Sequence, residues 1–204
     1  MTTPTAVIFD IGNVLVHWHP RNLYERLIPD GQALDLFLRD IVTTEWHFQH
    51  DAGRPFAETS AELIAEHPEH AELIKAWAPR FNETMGGTIA GMPELVRDLD
   101  AAGVPLYAIT NFSGEFFPPF RAAFAELFTP FRDIVVSGDE RLIKPDRAIY
   151  ELALRRFGLA PEHAVFVDDN AANVEGARAL GIHAILFEDA ASTRAAMKAL
   201  GLPL

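Results

Sequence analysis

The chain has 204 residues, which allows one domain with a sizeable insertion, or a compact domain plus a small one, at a usual ~150 residues per domain. With 49% hydrophobic residues it is too apolar for a disordered chain, and 17 Lys plus Arg against 29 Asp plus Glu give a formal net charge of −12, which repels a phosphate backbone and argues against nucleic acid as a general partner. Cysteine is absent, which removes disulfides, thiolate zinc sites and thiol nucleophiles together and fits a cytoplasmic, reducing location.

Met1-Thr-Thr-Pro-Thr5 has no basic region followed by a long apolar core, so no signal peptide is expected. Apolar runs throughout fall far below the ~18–20 residues of a membrane-spanning helix, so no membrane partner is expected. Ala6–Phe9 is a β-type run that stops at Asp10. From about Arg21 to Met85 no convincing strand follows. Leu34, Phe37, Leu38 and Ile41 recur at i, i+3, i+4 and i+7, as do Ile74, Trp77, Ala78 and Phe81, so this segment reads as a helical insertion. Gly86-Gly87 and Gly91 return the chain to the main body. Leu95, Leu99 and Ala102 then share a helix face that ends at Gly103, before the apolar run Val104–Ile109. Gly114–Phe120 reads as a loop that turns helical toward Leu127. The run Asp133–Val136 precedes a helix carrying Ile149, Leu152 and Ala153, closed by Gly158. Ala164–Val167 precedes one carrying Val174, Ala177 and Leu180, closed by Gly181, and His183–Phe187 is the last run. Short apolar runs without polar alternation are strands covered on both faces. Their alternation with helices predicts an α/β fold, a doubly wound parallel sheet.

Ligands of open α/β sheets sit beyond the carboxyl ends of the strands. Asp10 follows the first strand, Thr110 and Asn111 the second, Asp168 and Asp169 the fourth; Lys144-Pro145 lies several residues after the third. Singly, each has an ordinary reading. Asp10 could cap a turn, Asn170 could cap the next helix, Thr110 could close a strand, and Lys144 could be a solvated surface residue. Together they are a constellation, and the adjacent acids Asp168 and Asp169 repel each other unless something cationic binds.

Phe9-Asp-Ile-Gly-Asn-Val-Leu15, Ile109-Thr-Asn111, Lys144-Pro145 and Phe166-Val-Asp-Asp-Asn-Ala-Ala-Asn-Val-Glu-Gly-Ala177 resemble the motifs of the haloacid dehalogenase-like hydrolases, in that family's order. The form Asp-x-Gly-Asn-Val is most similar to the branch of α-glucose-1-phosphate phosphatase and the N-terminal phosphatase domain of soluble epoxide hydrolase. The resemblance implies a Rossmann-like core over residues 1–16 and 88–204 and a helical C1 cap over 17–87. It implies that Asp10 attacks phosphorus, and that Mg2+ is held by Asp10, the Gly12 carbonyl and Asp169, with Asp168 a further or indirect ligand and Asn173 near a metal-bound water. Thr110, the Asn111 amide and Lys144 would hold the phosphoryl oxygens. Chemically this is coherent: a carboxylate can form an acyl phosphate, and hard oxygen ligands with a divalent cation let two anions approach.

One position departs from the wider family. Gly12 stands where many members carry a second Asp, the acid that protonates the leaving alcohol. His17, His19, His47 and His50 are candidates for that role or for substrate contact, although each alone reads as an ordinary surface histidine; Trp46 is a better candidate for a substrate wall than Trp77. The expected reaction is hydrolysis of a small phosphorylated metabolite, by resemblance a sugar phosphate. The alternatives are a metal-independent 2-haloacid dehalogenase, which Gly12 would suit and the paired acids would not, and a non-catalytic binding protein on the same fold.

Overall fold

Strand β1 (Ala6–Phe9) runs through the middle of the molecule, with all four of its residues fully buried. In this computed structural model, residues 3–204 are described. Met1 and Thr2, with which the expected leaderless N-terminus and core segment begin, lie outside the described residues. Beside β1 run β4 (Leu106–Thr110) and β6 (Ala164–Asp168), both parallel to it, and outside these β5 (Phe131–Val136) and β7 (His183–Leu186). Among the described residues the sheet order is β5-β4-β1-β6-β7. Val7 and Phe9 pack into one apolar layer with Leu95, Leu99 and Met197. Ala6 and Ile8 pack into the other with Ile149, Ala153 and Ala177. A sheet covered on both faces has no polar alternation, which is why the strands were visible as plain apolar runs. The strands beside β1 are reached in opposite directions along the chain, so the crevice of the fold opens at the carboxyl ends of β1, β4 and β6.

The strand boundaries differ slightly from the expected ones. β4 starts at Leu106 rather than Val104, because Pro105 offers no amide to the ladder; its carbonyl instead accepts from Val7 N at 3.0 Å. β5 starts at Phe131, two residues before the expected run.

The insertion is helical, as its periodicity indicated, with helices Arg21–Tyr24, Gly31–Asp40, Thr44–Asp51, Phe56–Glu66 and Ala71–Lys75. Asp30 and Thr43 cap two of them by accepting from the amides of Ala33 and Trp46. Two expectations are corrected. Ile74 to Phe81 is not one helix: the helix ends at Lys75, and a 3-10 turn covers Phe81–Thr84. Pro79 lacks the amide a continuous helix needs and disfavours helical backbone at Ala78, yet Ile74, Trp77 and Phe81 are still buried. The segment's end also carries a strand. β3 (Met85–Thr88) pairs antiparallel with β2 (Val16–Trp18), so Gly86-Gly87 belongs to a short ribbon that joins the two stems of the insertion.

The helical insertion is tied to the sheet domain at one tight junction. The Ser137 hydroxyl donates to the carbonyl of Asp51, at 2.6 Å, and accepts from the Phe112 amide at 2.9 Å. Gly53 has φ +90°, and a Cβ there would lie 2.8 Å from the Gly138 carbonyl oxygen. A Cβ on Gly138 would lie 2.6 Å from the Gly114 amide nitrogen. Three backbone segments meet where no side chain fits. Gly138→Ala is therefore expected to lower unfolding free energy by about 1–3 kcal/mol, read from urea denaturation; unchanged stability would show that the junction yields freely.

Candidate active site

Asp10 leaves β1 at the crevice. Its amide donates to the Val167 carbonyl at 2.8 Å, and its Oδ1 accepts from the Ile11 amide at 2.7 Å. Lys144 Nζ lies 2.9 Å from that same Oδ1 and 2.7 Å from Asp168 Oδ2. The ammonium is therefore shared by two carboxylates, and its side chain has no solvent exposure. Lys144 comes from a loop after β5, and Asn111 fixes that loop. The Asn111 amide group donates to the Lys144 carbonyl at 3.0 Å, and its Oδ1 accepts from the Lys144 amide at 2.8 Å. Asp168 accepts from the Asn170 amide at 2.8 Å and from Asn173 Nδ2 at 3.0 and 3.1 Å. Asn173 sits on helix Ala171–Arg178, which Asn170 caps, and its carbonyl accepts from the Tyr150 hydroxyl at 2.8 Å. Both Asp168 oxygens are thus already engaged.

The site is short of positive charge. Asp10, Asp168 and Asp169 each bring a carboxylate oxygen within 4.8 Å of the others, with one lysine between them. Burial pushes Asp10 up to about 7; Lys144 opposes this and Asp168 adds to it. Asp169, though solvent-exposed at the mouth of the site, is also raised, by partial desolvation and then by Asp168. For Lys144, burial works against the charge, but Asp10 and Asp168 outweigh it and hold the ammonium above its ordinary value. Hard oxygen donors with uncompensated charge suit a divalent cation such as Mg2+.

Above these groups is a cavity of about 190 Å³. Its polar floor includes Asp10, Asn111, Lys144, Asp169 and Asn173. Its walls are mostly apolar: Trp18 from the ribbon, Phe48, Phe81 and Met85 from the insertion, and Phe112 after β4. Gly12 also lines it, and a Cβ there would meet no described atom within 4 Å, so the backbone surroundings do not require glycine.

Of the other expected residues, His47 lines the cavity, stacked on Trp18 at 4.8 Å between ring centroids. His50 does not: it is buried with Nε2 2.6 Å from Thr59 Oγ1. His17 and His19 are exposed and outside the lining. Trp46 is turned into the insertion's own core, its Nε1 donating to the Thr59 carbonyl at 3.2 Å, and the wall is Trp18 and Phe48 instead. Thr110 is buried at the end of β4, outside the lining. Sequence reasoning passed over Asp51, which is 2% exposed and lines the cavity. Its one signal in the sequence is that it directly follows His50, one of the candidate histidines.

The family model of the haloacid dehalogenase-like hydrolases matches residues 4–181. The chain is a haloacid dehalogenase-like hydrolase. This hydrolase is 30% identical over 196 residues to a sesquiterpene phosphatase of Aspergillus oryzae, covering 94% of each chain. It is also 30% identical over 196 residues to hexitol phosphatase A of Escherichia coli, covering 91% of this chain and 84% of that one. Its fold is similar to that of a family enzyme from Bacteroides thetaiotaomicron crystallised with magnesium, with a TM-score of 0.70 at 16% identity over 92% and 95% of the two chains.

The charge deficit of the hydrolase gives a prediction. Asp169 ionises at a cost in the folded state, since partial desolvation and Asp168 raise its pKa. In EDTA at neutral pH, Asp169→Asn should therefore melt at a higher temperature than wild type. The gain should vanish below about pH 4, where Asp169 is protonated both folded and unfolded. Adding MgCl2 should raise the wild-type Tm and leave the variant's nearly unchanged; an equal rise in both would exclude Asp169 as a ligand.

Proposed function

We propose that this hydrolase is an Mg2+-dependent phosphatase that moves the phosphoryl group of a small monoester first to Asp10 and then to water. The observation that carries this reading is the cluster of Asp10, Asp168 and Asp169, of which the first two share one buried lysine. Such a cluster would repel the carboxylate of a haloacid, the substrate of the alternative dehalogenase reading, but it would hold a cation that accepts phosphoryl oxygens. Asp10, Asp169 and the Gly12 carbonyl would hold Mg2+, which when bound neutralises phosphoryl oxygens and lets the nucleophile and substrate, both anionic, approach.

Asp10 attacks through Oδ2, because Oδ1 is already held by the Ile11 amide and Lys144. The new bond joins Asp10 to phosphorus as the bond to the alcohol breaks, and water then cleaves the acyl phosphate to regenerate the carboxylate. Lys144 offsets the charge of the transferring group; Asp168 and Asn111 keep it aimed. The helical insertion, residues 17–87, acts as the cap that covers the substrate and excludes water.

The walls narrow the substrate. Trp18, Phe48, Phe81, Met85 and Phe112 present mainly apolar surface, with few polar groups free beside it, Trp18 Nε1 and Asp51 Oδ1 among them, and each hydroxyl of a polyol buried there without a partner costs roughly 1–3 kcal/mol. The leaving group is an apolar or aromatic alcohol in this reading, in place of the sugar that the family branch suggested.

Wild type should hydrolyse p-nitrophenyl phosphate with MgCl2, lose that activity in EDTA, and leave 2-chloropropionate untouched. Asp10→Asn, which leaves Asp168 paired with Lys144, should still fold, with some loss of stability, and lose about 10³-fold or more in kcat. Metal-independent release of chloride would establish the dehalogenase instead. Within a panel of esters, benzyl and short isoprenyl phosphates should show higher kcat/KM than hexitol phosphates; the reverse order would overturn the apolar assignment.

A further inference from the structure

Position 12 leaves the reaction without an acid for the leaving alcohol, and the cavity supplies one from the insertion. We propose that Asp51 protonates the departing alcohol oxygen and then takes the proton of the water that hydrolyses the acyl phosphate; the inference rests on the phosphatase reading above.

The geometry supports Asp51 in several independent ways. It is the last residue of helix Thr44–Asp51, and its side chain is only 3% exposed. It lines the same cavity as Asp10. Its carbonyl is fastened to the sheet domain by Ser137, so the helix end that carries it has a fixed place over the crevice. Its Oδ2 lies 3.4 Å from His47 Nε2, and although the Ser113 amide is close enough to favour the carboxylate, Oδ1 has no well-formed hydrogen bond among the described residues. A buried carboxyl oxygen with no partner is costly to keep idle, and a reacting hydroxyl or water is the partner it lacks.

The other proton-carrying groups at the cavity are committed. Asp10 is the nucleophile in this reading, and Asp169 would hold the cation. Lys144 is tied to two carboxylates. His47 is buried between Trp18 and Phe81, and burial pushes its pKa down to about 3, which leaves it a poor proton carrier beside Asp51. Burial, with Asp10 adding, lifts Asp51 to about 8, against the opposing pull of the Ser113 amide and Lys144. Burial thus favours the protonated form that the first step needs.

The proton balance closes. As the Asp10–phosphorus bond forms and the phosphorus–alcohol bond breaks, the Asp51 proton passes to the alcohol oxygen, and a neutral alcohol leaves. Asp51 is now a carboxylate. Water attacks phosphorus, its proton returns to Asp51, the bond to Asp10 breaks, and inorganic phosphate departs with both acids restored. The acid is carried on the insertion and the nucleophile on the sheet, so leaving-group chemistry requires the two to be docked.

The test is kcat/KM across monoesters from p-nitrophenyl phosphate to simple alkyl phosphates, with MgCl2, for wild type and Asp51→Asn. This parameter reports phosphoryl transfer to Asp10 and is insensitive to the later hydrolysis. Removing a general acid costs about 10²–10⁴-fold where the leaving oxygen needs a proton. Asp51→Asn should lose about 100-fold or more on alkyl esters and less than about 10-fold on p-nitrophenyl phosphate, whose oxygen leaves unprotonated. An equal loss on all esters, or none, overturns the role of Asp51. If the variant fails to fold, the wild-type series decides: a shallow dependence on leaving-group basicity supports an internal acid, and a steep one overturns it. Absence of wild-type activity on p-nitrophenyl phosphate would instead overturn the phosphatase reading itself.

Discussion

The site is organised around one buried ammonium group. Lys144 sits between Asp10 and Asp168 with its side chain fully out of solvent, and every neighbouring feature follows from holding it there. Taking a lysine out of water is costly, and removing one partner of such a buried pair typically costs about 3–5 kcal/mol. Asp168 therefore has to be anchored, which Asn170 and Asn173 do, and the Lys144 backbone has to be fixed, which Asn111 does. These anchors come from the ends of β4 and β6 and from the helix after β6, so the sheet order places them together. One cation against three carboxylates leaves the centre anionic, and that remainder is what a metal ion and a phosphoryl group would jointly balance.

The acidic character of the whole chain, −12 by formal charge, makes this local arrangement more telling. A phosphoryl group is not drawn in by the surface. In the proposed reaction it would be held by a lysine and a cation below a largely apolar cavity, where the dielectric is low and each charge acts strongly. The same apolar walls that strengthen these interactions also raise the pKa of Asp51 and keep His47 neutral. Burial thus does two jobs with the same residues: it shapes what alcohol fits, and it sets which groups carry protons.

Much of the core was legible in the sequence because its signals are local. Ala6–Phe9 is buried on both faces, so it reads as an uninterrupted apolar run, and Asp10 is conspicuous as the polar residue that ends it. Asp168, Asp169 and Lys144 were legible for the same reason, as charges beside strand ends or matching a motif. What escaped depends on packing between distant segments. The β2–β3 ribbon is three and four residues long, and Gly86-Gly87 looks like a turn. Ile74, Trp77 and Phe81 keep helical spacing although Pro79 ends the helix between them. His47 and His50 share a helix, but only contact with Thr59 decides that His50 faces inward to the insertion. Asp51 becomes a cavity residue because Ser137, 86 residues away in sequence, fastens its carbonyl to the sheet domain. For Asn111 the sequence points only to its backbone N–H as a phosphate contact; that its side chain holds Lys144 in place is visible only in the fold.

The central claim is that Asp10 carries the phosphoryl group, and direct trapping of that species tests it. Enzyme mixed with a 32P-labelled aryl phosphate and MgCl2, quenched in acid within one turnover and digested, should yield label on the peptide containing Asp10, released by hydroxylamine as an acyl phosphate would be. The Asp10→Asn protein should carry none. Turnover without labelled protein in wild type, or label on a peptide lacking Asp10, would contradict the account.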